Sequence, residues 1–134
     1  MKPNGKNLIP FREGLFSADA DDAYLIGNRC QSCRRIFFPS RPFCFDCFSR
    51  SMRKSKIGRT GTLYSFTTCY MPSIQFEAPY TVGWIDLREG IRIVAPIMAK
   101  GRQILQIGME MELVIVELWR QGKTKVFGYK YRPV

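Results

Sequence analysis

The sequence predicts a mainly β protein: a short N-terminal helix, a four-cysteine metal ribbon and a small closed barrel of five strands. Three observations lead there. Two Cys-x-x-Cys pairs, Cys30-Gln31-Ser32-Cys33 and Cys44-Phe45-Asp46-Cys47, stand ten residues apart. Five segments rich in β-branched and aromatic residues follow Gly58. No credible long helix separates them.

Residues 1–23 are the docking segment. Phe11, Leu15 and Phe16 form an apolar cluster ahead of Asp19, Asp21 and Asp22, which suits a short helix followed by a turn. Residues 24–57 are the ribbon. Between its cysteine pairs, Ile36-Phe37-Phe38 with Pro39 and Pro42 predicts a hairpin strand and a loop.

Residues 58–134 form the barrel, with strands over Thr62–Tyr70, Tyr80–Leu87, Ile91–Met98, Glu110–Leu118 and Thr124–Tyr131. They are bounded by Gly58 and Gly61, Pro72, Glu89-Gly90, Gly101, Gly108 and Gln121-Gly122. Neither face of these strands is uniformly polar: Tyr80, Val82 and Trp84 oppose Ile85 and Leu87, and Met111, Leu113 and Ile115 oppose Val114 and Val116. A free barrel alternates more cleanly between interior and exterior, so the outside is covered by the ribbon and N-terminal segment or by a partner protein. The stretch from Lys100 to Met109 is too short for a capping helix with its loops, which leaves that barrel end open or covered by another chain.

Composition narrows the chemistry. The chain has 134 residues, 46% of them hydrophobic and 13% aromatic, as in a folded domain. Its longest aliphatic run, Leu113-Val114-Ile115-Val116, falls far short of a membrane span. The polar N-terminus lacks the apolar stretch of a signal peptide. The expected location is therefore cytoplasmic, where paired cysteines mean metal before disulfide. There is no histidine, which removes the commonest base near neutral pH and every Ser-His or Cys-His nucleophile. The chain is thus not expected to be an enzyme on its own.

Cys30, Cys33, Cys44 and Cys47 are the metal ligands. A two-residue gap lets both sulfurs of a pair reach one ion, and two pairs complete a tetrahedron around a single structural zinc. Rubredoxin-type iron uses the same ligand set, but bulky Arg34 and Phe48 follow the two pairs where glycine would be expected. Cys69 reads as a packing residue. Glu110 and Glu112, on one strand face, read as solvated carboxylates rather than an acid–base pair.

The chain carries 21 Lys and Arg against 11 Asp and Glu, a net charge of +10. Residues 29–59 hold nine of the cations and only Asp46 in opposition, a net of +8. Four thiolates on one zinc would lower this to about +6. The remainder is either a solvated basic surface or a patch for phosphate-rich ligands, nucleic acid or a nucleotide cofactor.

In this order of parts the sequence resembles domain-of-unknown-function family thirty-five, the acyl-CoA-associated zinc-ribbon/OB-fold proteins. The resemblance rests on residues 25–33, Leu-Ile-Gly-Asn-Arg-Cys-Gln-Ser-Cys, and on Phe37-Phe38-Pro39-Ser40-Arg41 ahead of Cys44 and Cys47. It continues through residues 58–67, Gly-Arg-Thr-Gly-Thr-Leu-Tyr-Ser-Phe-Thr, then Ala78-Pro79-Tyr80 and Ile107-Gly108-Met109. One departure is the lack of glycine after Cys33.

The resemblance implies a rubredoxin-like zinc ribbon and a five-stranded OB-fold barrel. It further implies a non-catalytic accessory subunit in a hetero-oligomer with a larger thiolase-superfamily, hydratase or aldolase subunit. There the CoA thioester is a ligand of the complex, and Arg34, Arg35, Arg41, Arg50, Arg53 and Lys54 are candidates for contacts to CoA phosphates. The alternative is a single-stranded nucleic-acid-binding OB/zinc-ribbon module, with Tyr64, Phe66 and Tyr70 stacking bases from one face of the first barrel strand.

Overall fold

The computed structural model describes residues 8–17, 22–73, 76–99 and 104–134. The chain begins with a short strand, β1 (Leu8–Pro10). The ribbon is a three-stranded sheet of β2 (Leu25–Cys30), β3 (Ile36–Phe37) and β4 (Met52–Ile57), in the order β3-β2-β4. The barrel comprises β5 (Thr60–Cys69), β6 (Tyr80–Leu87), β7 (Arg92–Ile97), β8 (Glu110–Gln121) and β9 (Thr124–Pro133). These five strands lie where the β-branched segments place them.

Antiparallel ladders join β5 to β6, β6 to β7, and β8 to both β5 and β9. A single parallel bridge, Ile97 to Tyr131, closes the ring between β7 and β9. The interior is filled by Leu63, Ile85, Ile93, Ala95, Ile97, Met111, Leu113, Phe127 and Tyr131. Leu25, Ile36 and Ile57 of the ribbon belong to the same hydrophobic cluster, so ribbon and barrel share one core.

The N-terminal segment differs from the expected helix. Among its described residues, β1 runs parallel to β9, with Leu8, Ile9 and Pro10 opposite Lys125, Val126 and Phe127. The Phe11 N–H donates to the Phe127 carbonyl at 2.8 Å, and Phe16 bridges to Leu25. The spacing of Phe11, Leu15 and Phe16 imitates a helical face, but an open stretch of the β9 edge offers backbone partners a short helix cannot use. Gly14, at φ 81°, turns the chain between the two contacts. The rings of Phe11 and Phe16 stack at 5.7 Å, and Phe16 meets Phe127 edge-on at 5.5 Å. Asp19 and Asp21, expected in the turn, lie outside the described residues.

This segment therefore extends the barrel wall at the β9 edge. The outer face of β5–β7 stays open, with Tyr64, Trp84 and Val94 all close to half exposed. The stretch from Lys100 to Met109 contains no helix among its described residues, 104–109.

Gly58 joins β4 to β5 at φ 82°, a conformation that glycine takes without strain. A Cβ there would lie 2.7 Å from Leu25 Cδ1 and 2.8 Å from Tyr131 Oη. The Tyr131 hydroxyl, fully buried, donates to the Gly58 carbonyl at 2.6 Å, while the Gly58 N–H donates to Glu89 Oε1 at 3.2 Å. Burial raises the Tyr131 pKa and keeps this donor protonated. The last strand thus holds the joint between ribbon and barrel.

Candidate metal centre

Two turns of the same construction present the four sulfurs. In the first, the Arg34 N–H donates to the Cys30 carbonyl at 2.8 Å and the Cys30 N–H to the Arg35 carbonyl at 2.9 Å. In the second, the Phe48 N–H donates to the Cys44 carbonyl at 2.9 Å and the Cys44 N–H to the Ser49 carbonyl at 2.8 Å. Arg34 and Phe48, the bulky residues after each pair, adopt φ 67° and 63°. The turn geometry imposes the left-handed conformation on them despite the missing glycine.

The four Sγ atoms lie within 4.8 Å of one another. Cys30 to Cys47 and Cys33 to Cys44 are each 3.5 Å. A tetrahedron with metal–sulfur bonds of about 2.3 Å has edges of about 3.8 Å, so the cluster matches the size a zinc ion requires. Backbone N–H groups also face the sulfurs: Cys33 N is 3.5 Å from Cys30 Sγ, and the amides of Asp46 and Cys47 are each 3.4 Å from Cys44 Sγ.

Backbone amides lower all four thiols, and the contacts between the sulfurs split them into two classes. The Cys33 N–H holds Cys30 down at about 6, from an ordinary 9.0, against the opposing effect of burial. At Cys44 burial pushes upward, but the Cys47 and Asp46 amides outweigh it and the pKa falls. At Cys33 the Arg35 amide pulls down, yet burial and the neighbouring sulfurs push the thiol up to about 12. Cys47 is raised, mainly by Cys30 and by burial, against the Ser49 amide. Four sulfurs this close can all be anionic only with a cation among them, and a soft tetrahedral thiolate set suits zinc.

Residues without a sequence signal hold the site together. The buried Asn28 side chain donates from Nδ2 to the Arg41 carbonyl at 2.6 Å and accepts the Arg41 N–H at Oδ1 at 3.2 Å. It thereby clamps the loop between the two turns. Phe43 packs on Phe45 at 5.2 Å and on Phe48 at 6.4 Å, capping the second turn.

The six candidate phosphate-contacting residues separate. Arg35 pairs with Asp46 at 3.4 Å, and the Arg41 guanidinium sits over the Phe45 ring at 4.9 Å. Arg50 is exposed and does not join the others. Arg34, Arg53 and Lys54 line one cleft of about 480 Å³ together with Arg29, a residue absent from that set.

The aromatic platform does not assemble as expected. A β-bulge between Leu63 and Ser65 leaves Tyr64 as an extra residue. Leu63 opposes buried Ile85 and Ser65 opposes exposed Trp84, so Phe66, opposite Gly83, turns to the face away from Tyr64. Arg92 lies over the Tyr64 ring at 3.4 Å.

Cys69 stands opposite Tyr80 in the barrel ladder. Glu110 pairs with Arg88 at 2.9 Å and Glu112 with Arg132 at 2.7 Å, which agrees with their reading as surface carboxylates. Among the described residues no helix is long and apolar enough to cross a membrane.

Comparison with known proteins agrees with this two-part architecture. Residues 18–53 match the family model for the ChsH2 rubredoxin-like zinc ribbon domain, and residues 55–116 match the model for the ChsH2 C-terminal OB-fold domain. A DUF35 domain-containing scaffold protein of Methanocaldococcus jannaschii is 33% identical over 115 residues, 82% of each chain. The benzoylsuccinyl-CoA thiolase subunit BbsA of Thauera aromatica is 31% identical, with 100% of this chain and 98% of that one aligned. Among solved structures, the Ltp2-ChsH2(DUF35) aldolase contains a chain with a TM-score of 0.69 and 28% identity, over 82% of this chain and 84% of that one.

Proposed function

The chain belongs to the DUF35 family of zinc-ribbon and OB-fold proteins, and on that premise we propose that it is a non-catalytic accessory subunit of an acyl-CoA-processing enzyme. Its partner is a larger thiolase-superfamily, hydratase or aldolase subunit, and a CoA thioester is the ligand of the complex. The observation that carries this reading is the end-to-end likeness to a thiolase subunit. The lack of any histidine supports it, because the partner must then supply the acid–base chemistry.

The work is divided among 1–23 as docking segment, 24–57 as ribbon and 58–134 as barrel. Cys30, Cys33, Cys44 and Cys47 hold one structural zinc, which contributes folding energy to the ribbon and leaves no open coordination position for substrate. The open outer face of β5–β7, with Trp84 and Val94 in register, gives the partner apolar surface to bury.

The test is purification of the tagged chain from its own cells under native conditions, with identification of the chains that accompany it. A larger acyl-CoA enzyme, active only in the complex, is the expected result. Turnover of acyl-CoA by the isolated chain would refute the non-catalytic role. Bound nucleic acid with no accompanying enzyme would favour the nucleic-acid module instead.

A further inference from the structure

We propose that the cleft formed by Arg29, Arg34, Arg53 and Lys54 is a binding site for a phosphate-ester or diphosphate group. The identity of the natural ligand as CoA rests on the accessory-subunit reading; the site itself rests on the ribbon's geometry.

Register carries the argument first. In the β2–β4 ladder Arg29 stands directly opposite Arg53, which places their Cβ atoms about 5 Å apart on one face. Like charges so paired repel, and a sheet normally separates them or inserts an acid. Here no acid intervenes. Among the described residues the ion pairs engage Arg35, Arg59, Arg88, Arg92, Arg120 and Arg132 with carboxylates. Arg29, Arg34, Arg53 and Lys54 belong to none of them, and all four are exposed.

Shape supplies the second part. These four cations line a single concavity of about 480 Å³, with Gln31 and Ser55 as neutral hydrogen-bonding neighbours and buried Cys30 in its wall. Arg29 and Arg53 share one face of the β2–β4 pair, whereas Lys54, the next residue of β4, alternates to the other face, so the paired arginines are the centre of the site. Arg34 reaches the cleft from a backbone at φ 67°, where glycine would relieve strain but supply no guanidinium.

Charge balance gives the third. The ribbon's net +8 remains at about +6 with a zinc bound by four thiolates, so the metal centre alone does not neutralise it, and arginine forks match phosphate oxygens in pairs.

Calorimetry on the full, zinc-loaded chain tests the proposal with inorganic pyrophosphate, coenzyme A, and pantetheine, which lacks the phosphates. The expected result is saturable binding of pyrophosphate and coenzyme A, weakening as salt rises, and none of pantetheine. Arg29→Gln combined with Arg53→Gln should weaken both by tenfold or more, while Arg88→Gln, at the distant Glu110 pair, should leave them unchanged. Zinc content checks that the variant ribbon is folded. Arg34→Gly, which relieves backbone strain and so keeps the fold, should also weaken binding.

Pyrophosphate binding without coenzyme A binding would keep the anion site and assign it to a free phosphate. No saturable binding, or equal loss in Arg88→Gln, would overturn the site. Affinity for single-stranded oligonucleotides that grows with their length would overturn it in favour of a nucleic-acid backbone. None of these measurements needs the partner, so failure to find an acyl-CoA enzyme in native purification would count against the accessory-subunit reading alone.

Discussion

Replacing Tyr131 by Phe removes one oxygen from the joint between ribbon and barrel and nothing else. The ring keeps its place in the core, while the Gly58 carbonyl loses a donor at 2.6 Å inside a region water does not reach. Leaving a buried acceptor unsatisfied costs about 1–3 kcal/mol, which for a chain of this size lowers the melting temperature by several degrees. Urea denaturation of the zinc-loaded chain, followed by circular dichroism and by zinc release to a chromogenic chelator, measures both the loss and its location. The midpoint should fall with unchanged slope, and zinc release should begin before the barrel unfolds, because the bond ties one part to the other.

The reciprocal change, Gly58→Ala, forces a left-handed residue at about 1–2 kcal/mol and drives a methyl toward Leu25 and the same hydroxyl. In the Tyr131→Phe background one of those two clashes is gone, so the double variant should be less damaged than the sum of the singles. A loss below about 0.5 kcal/mol in Tyr131→Phe, or strict additivity with Gly58→Ala, would refute this account of the joint.

Other perturbations probe the rest of the chain. Cys47→Ser should abolish stoichiometric zinc by elemental analysis and unfold the ribbon, since the metal's folding energy is local to it. Phe16→Ala, at a ring 7% exposed and packed on Phe11 and Phe127, should cost about 3–5 kcal/mol in urea denaturation; Phe48→Ala, at a side chain 72% exposed, should cost far less. Arg34→Gly should stabilise the zinc-loaded chain by about 1 kcal/mol by relieving the left-handed backbone.

The barrel strands were legible because β-branched and aromatic runs alternate with glycine and proline breaks, a signal local to each strand. The four cysteines were legible for the same reason. What escaped depends on partners distant in the chain. Phe11, Leu15 and Phe16 have a spacing that fits a helix, and only the open β9 edge decides otherwise. A single inserted residue at Tyr64 puts Tyr64 and Phe66 on opposite faces, and alternation read along the sequence carries no mark of it. Arg29 joins the basic cleft through its register with Arg53, which the hairpin length does not reveal. Asn28 looks like any polar strand residue until its amide is found on both backbone groups of Arg41.

The pairing of β1 with β9 also sets an order of events during synthesis. All four cysteines lie in one short stretch near the start of the chain, so the ribbon can capture its metal while most of the barrel is still to be made. The seam between the first and last strands has no such freedom. Leu8, Ile9 and Pro10 must wait for residues 125–127, and the Gly58 carbonyl must wait for Tyr131. Contacts between such distant residues form late, after the local ones have reduced the entropy of closing the loop. Until then the rings of Phe11 and Phe16 lack their seat on β9, and such unburied apolar surface favours aggregation. Metal capture can begin the fold, but only the final strand can finish it.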